Sequence, residues 1–77
     1  MNAQYETKIG HNIRTLREQA RLTQEQLSAR MQVRGCDVTR SALAKIEVGQ
    51  RHLYPDEIRA IKEILGVSYD VIFEENE

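Results

Sequence analysis

The chain has 77 residues, 40% hydrophobic and 30% charged, with a net charge of −1 at neutral pH. That length holds one domain, which at this size buries only about 60% of its unfolded surface and has a thin stability margin. No apolar run approaches the roughly 18 residues that span a membrane, MNAQYETK lacks the apolar core of a secretion signal, and the lone Cys36 forms no internal disulfide and fits a reducing cytoplasm.

The first helix is expected from about Lys8 to Ala20. Ile9, Ile13, Leu16 and Ala20 recur at i, i+4, i+7 and i+11 as one apolar stripe, and Thr7 stands at the N-cap position. The second helix has the clearest start. Thr23-Gln24-Glu25-Gln26 is a capping box, in which the Gln26 amide donates to the Thr23 hydroxyl and the Gln26 side chain accepts from the Thr23 amide. Leu22 and Leu27 have the spacing of a hydrophobic staple, and Leu27 and Met31 face the core. The third helix opens on Thr39 as cap. Val38 and Leu43 repeat the staple, Leu43 and Ile46 point inward, and Gly49 supplies the stop.

The fourth helix starts at Pro55, a residue favoured in the first turn, and Asp56 and Glu57 complement the positive end of its dipole. Ile58, Ile61 and Leu65 give its apolar face, and Gly66 ends it. The fifth helix is short, capped by Ser68 and stapled by Val67 and Ile72. No segment alternates apolar and polar residues with period two. The expected fold is all-α, a compact bundle of five short helices forming one domain over residues 1–77, with 1–6 and 74–77 frayed.

A net charge of −1 argues by itself against a nucleic-acid partner, but the distribution says more. Residues 1–54 hold nine Lys/Arg against five acids, a balance of +4; residues 55–77 hold two against seven, a balance of −5. A basic front and an acidic back suit a protein that presents one face to a polyanion. The third helix adds detail. With Leu43 and Ile46 inward, Arg40, Ser41, Ala44 and Lys45 fall on or near the outward side. Small and cationic residues at the leading end let a helix sit close in the major groove while Arg40 and Lys45 reach base edges. The start of the second helix, at Thr23 and Gln24, offers free amides and a dipole to a phosphate. The loop Gly49-Gln50-Arg51-His52 offers further donors, and phosphate contacts of this kind set register without reading sequence.

LREQARLTQEQLSARM, then VTRSALAKIEVGQR, then LGVSYDVIF together resemble the lambda repressor/Cro-type helix-turn-helix family, also called the XRE family, over roughly residues 8–73. The resemblance implies a lambda repressor-like five-helix domain that binds operator DNA in the major groove, usually as a dimer. It implies base contacts at Arg40, Ser41, Ala44 and Lys45. It implies phosphate contacts at Thr23, Gln24, Thr39, Gln50 and Arg51, with Thr39 also capping the recognition helix. It also implies an ion pair between Arg17 and Glu47. One departure stands out. Gln32-Val33-Arg34-Gly35-Cys36-Asp37 makes the connection before the recognition helix roughly five residues longer than the usual turn of 3–4. Gly35 can take positive φ and Asp37 can bond nearby amides, so the stretch reads as an ordered bulge in a long-turn variant.

Cys36 lies between Arg34, which would lower its pKa, and Asp37, which would raise it; an unreactive thiol is the reading. His11, His52 and Cys36 lack the spacing of a metal site. With no nucleophile–base pair and no glycine-rich phosphate loop, neither an enzyme nor a cofactor is expected. Tyr69 and Val71 remain for a second surface, where the resemblance implies a homodimer contact. The function expected is a sequence-specific regulator of transcription, a repressor in the cytoplasm with no membrane association. The alternatives are an antitoxin or other module that uses the same fold to hold a protein partner, or one component of a larger regulatory complex with weak DNA affinity alone.

Overall fold

A computed structural model describes residues 3–75 and arranges them in five helices: α1 Ala3–Gln19, α2 Gln24–Val33, α3 Arg40–Glu47, α4 Pro55–Leu65 and α5 Tyr69–Ile72. No strand occurs among the described residues, so the fold is all-α as expected. None of these helices is long and apolar enough to cross a membrane. Residues 1, 2, 76 and 77, part of the ends expected to fray, lie outside the described residues.

Every expected helix is present, with some ends displaced. α1 already includes Ala3, so Thr7 lies inside the helix and does not cap it. Nothing from Ala3 to Lys8 breaks a helix, and Glu6 stands in the first turn, where a carboxylate complements the dipole. The apolar stripe of α1 stops short of Ala20, which is exposed because the helix ends at Gln19. The capping box of α2 is formed: the Gln26 amide donates to Thr23 Oγ1 at 3.0 Å, and the Thr23 amide donates to Gln26 Oε1 at 2.9 Å.

Four helices stop at a residue with left-handed backbone: Arg21 (φ 60°), Gly35 (87°), Gly49 (79°) and Gly66 (66°). After α1, α2 and α3 the next amide folds back onto a carbonyl of the last turn. Leu22 donates to Arg17, Cys36 to Met31 and Gln50 to Lys45, at 3.1, 3.0 and 2.8 Å. This closure satisfies carbonyls that the helix itself leaves open.

Ile9 and Ile13 of α1, Leu27 and Met31 of α2, Leu43 and Ile46 of α3, Ala60 and Ile61 of α4 and Ile72 of α5 form one core with Cys36 and Val38. Burying a side chain of the Leu or Ile class contributes about 1.5–3 kcal/mol. α1 lies close over the end of α3: a Cβ on Gly10 would run into the carbonyl oxygen of Ile46. Asn12 Nδ2 donates to the carbonyl oxygens of Ile72 (2.9 Å) and Glu74 (2.7 Å), which ties the last helix to the first.

The long connection before α3 is ordered. α2 runs two residues past Met31, to Val33, and absorbs part of the excess length. Gly35 ends it, and Cys36 and Val38 then both turn into the core. The Val38 amide donates to the Cys36 carbonyl at 2.8 Å. The Val38 carbonyl accepts from Ser28 Oγ at 2.6 Å and from Gln32 Nε2 at 3.3 Å, both on α2. Arg34 turns toward α4, where its Nη1 meets Glu63 Oε1 at 2.7 Å.

Candidate nucleic-acid interface

α3 starts where Thr39, in extended backbone, accepts a hydrogen bond from the Ala42 amide at 3.1 Å. Leu43, Ile46 and Glu47 are buried, while Arg40, Ser41 and Lys45 are exposed. Ala44, read from the sequence as outward with these three, is half-buried on the border between the two faces. Arg40 and Lys45 meet no carboxylate among the described residues.

The far end of α3 is bolted to α1 and α2. Arg17 grips Glu47 twice, Nε to Oε2 at 2.7 Å and Nη2 to Oε1 at 3.0 Å, and Arg17 Nη1 donates to the Leu22 carbonyl at 2.8 Å. The hydrogen bond to Glu47 outweighs desolvation and holds the guanidinium above its ordinary pKa. Gln24 Nε2 donates to the same Glu47 Oε1 at 3.0 Å. Gln24, expected at a phosphate, is thus half-buried and held by an inward bond; its amide carries two N–H donors, of which Glu47 engages one. Thr23 is exposed beside it.

Gln50 is exposed, and its backbone is fixed by the bond to Lys45. Arg51, also expected at a phosphate, is bound elsewhere. Its Nη1 and Nη2 reach Glu57 Oε1 and Oε2 at 2.9 and 3.1 Å, Nη1 also donates to the His52 carbonyl at 2.9 Å, and its carbon lies 5.8 Å from the Tyr54 ring centre. The physical reason is Glu57, a carboxylate in the first turn of α4 that the fold buries and that must therefore be paired. Burial pushes the Glu57 carboxyl up, but the Arg51 bonds and the Tyr54 amide, at 3.1 Å, outweigh it and hold it below the usual range. Sequence reasoning saw Glu57 only as a dipole partner. Next door, His52 Nδ1 lies 2.9 Å from Glu6 Oε1 and closes the loop onto α1.

Ion pairing sharpens the charge pattern. Arg14, Arg17, Arg34, Arg51 and Arg59 each meet a glutamate. Between residues 20 and 50 this leaves Arg21, Arg30, Arg40 and Lys45 without a carboxylate partner among the described residues, against Glu25 and Asp37. The outward face of α3 therefore keeps its cations, while five arginines outside it are paired. Sequence reasoning also missed Ser28 and Gln32, which aim the start of α3 by holding Val38. Ser28 interrupts the apolar face of α2 next to Leu27, and a polar residue in that position needs a partner. Tyr69 and Val71 are exposed on α5, with Lys62 Nζ 5.3 Å from the Tyr69 ring centre.

A family model described as a helix-turn-helix domain matches residues 8–72. No curated protein and no solved structure matches the chain.

Proposed function

This chain belongs to the helix-turn-helix domain family, and from that membership we propose that it is a sequence-specific DNA-binding regulator of transcription. More narrowly, it is a repressor of the lambda repressor/Cro type that acts as a dimer on a two-part operator. One observation carries the reading: α3 presents Arg40, Ser41 and Lys45 outward and without partners among the described residues, and Glu47 at its other end holds both Arg17 and the Gln24 side chain. The start of α2 and the end of α3 are therefore tied to each other. A helix of eight residues is roughly 12 Å long, which suits insertion at one point of a major groove.

In this reading Arg40 and Lys45 read base edges, Ser41 and Ala44 allow close approach, and Thr39 stands by the backbone. Gln24 donates its second N–H to a phosphate, with Thr23 beside it, and Gln50 contacts the strand beyond α3. Arg51 serves the site from behind, by fixing the loop that carries Gln50. One short helix reads few base pairs, so two copies on an inverted repeat supply the remaining specificity. The exposed Tyr69 and Val71 on α5 supply a contact between the copies.

Selection of binding sequences from a random duplex pool, followed by titration of the winner against salt, tests this. An enriched inverted repeat whose affinity falls steeply with salt is expected. Enrichment of a single half-site would remove the dimer. No enrichment at low salt would favour a module that holds a protein partner through the acidic end of the chain.

A further inference from the structure

We propose that Arg21 is an additional contact to the DNA backbone, an inference that rests on the DNA-binding reading above and extends it. The observation is a contrast within the chain. Of the four residues that end helices in left-handed backbone, three are glycine, and Arg21 is the one that is not. Glycine adopts this conformation freely, whereas a side chain there is strained against its own carbonyl. Nothing among the described residues accounts for an arginine at this place. Its side chain is exposed, and it has neither a hydrogen-bond acceptor nor a carboxylate among the described residues. Arg30 is equally unpaired, but it sits inside α2, where arginine is a good helix former and needs no further reason.

Position supplies the other half of the inference. The Leu22 carbonyl, next to Arg21, accepts from Arg17, which grips Glu47 at the end of α3; Gln24 is bound to the same carboxylate. Residues 21–24 thus ride on the end of the recognition helix. A cation carried there approaches whatever backbone the start of α2 approaches. A guanidinium that meets a phosphate there can bond it bidentately.

The test compares wild type with Arg21→Gly and Arg21→Lys on the selected duplex across a range of salt, with melting measured in parallel. Arg21→Gly is expected to melt about 4 °C higher, because the strain is gone. It is also expected to bind more weakly, with unchanged base preference and a log–log salt slope shallower by about 0.9 for each chain bound. Arg21→Lys, which keeps the charge, is expected to keep the slope. A wild-type slope in Arg21→Gly, on a duplex that wild type does select, would overturn this assignment and leave the DNA-binding reading intact. Loss of base preference in Arg21→Gly would also overturn it, since that would make Arg21 a base reader. If wild type binds no duplex, both fall together.

Discussion

Arg17 and Glu47, thirty residues apart, form a two-pronged ion pair whose side chains are only 9% and 1% exposed. Removing one partner of such a pair leaves the other charge buried without compensation, which costs about 3–5 kcal/mol. Arg17→Ala is therefore expected to lose that much stability in urea unfolding. A matched apolar pair at both positions is expected to recover most of it. An Arg17→Ala midpoint equal to wild type would mean that Glu47 finds its charge balance elsewhere.

Base reading and backbone contact separate by substitution. Arg40→Ala is expected to cost about 1–3 kcal/mol against the preferred base at one operator position and to relax the preference there. Gln24→Ala and Gln50→Ala are expected to weaken all duplexes alike. Uniform loss in Arg40→Ala would move that arginine to the backbone. Gln24→Ala carries a second effect, because it also removes a bond to Glu47.

Two glycines mark where α1 approaches α3. A Cβ at Gly49 would collide with Thr7, at a backbone angle of +79° that resists any side chain, and a Cβ at Gly10 would collide with the Ile46 carbonyl. Overpacking of this kind costs about 1–3 kcal/mol. Gly10→Ala is expected to destabilise by at least that amount, since the obstacle is main chain. Gly35→Ala, where a Cβ meets nothing, is expected to cost only the strain of positive φ, about 1–2 kcal/mol. Denaturant midpoints for both variants check the ranking.

Glu57 gives stability a defined dependence on pH. Its carboxyl sits below the unfolded value of about 4.3. Between the folded and unfolded pKa the unfolded chain holds more protons, so this contribution is complete above about pH 4.3 and is lost as pH falls through the folded value. The stability gap between wild type and Glu57→Gln is expected to be widest at neutral pH and to close in acid. Unfolding curves at pH 7 and pH 3 decide it; a constant gap would show that the charge on Glu57 is immaterial.

Cys36 is buried, and burial pushes its thiol up, with Asp56 and Glu57 adding to the rise. A thiol held protonated is a poor nucleophile. Cys36 is expected to react with a disulfide reagent only as fast as the chain opens, so its rate should follow the denaturant dependence of opening. Rapid labelling of the folded chain would contradict this.

Much of the fold was legible because its punctuation is local. Thr23 with Gln26, Thr39 with Ala42 and Gly49 after α3 interact within a few residues, and spacing alone reveals them. The outward positions of α3 follow from the same periodicity, apart from the border residue Ala44. What spacing could not show is which arginines are taken. Arg34 with Glu63 and Arg51 with Glu57 depend on how α2, the loop and α4 pack. The front-and-back charge balance counted both arginines as available to a polyanion. The inward bond of Gln24 was hidden for a related reason, since it exists only because α3 ends beside it.

The connection before α3 has a consequence for how such a protein can change over time. Cys36 and Val38 act as two pegs in the core, and α2 clasps the Val38 carbonyl. The pegs and the clasp hold the start of α3, and the bonds of Glu47 to Arg17 and Gln24 hold its end. None of these anchors uses the outward side chains of α3, so Arg40, Ser41 and Lys45 can be exchanged without moving the helix. Tuning of what is read is thereby uncoupled from holding the reader in place.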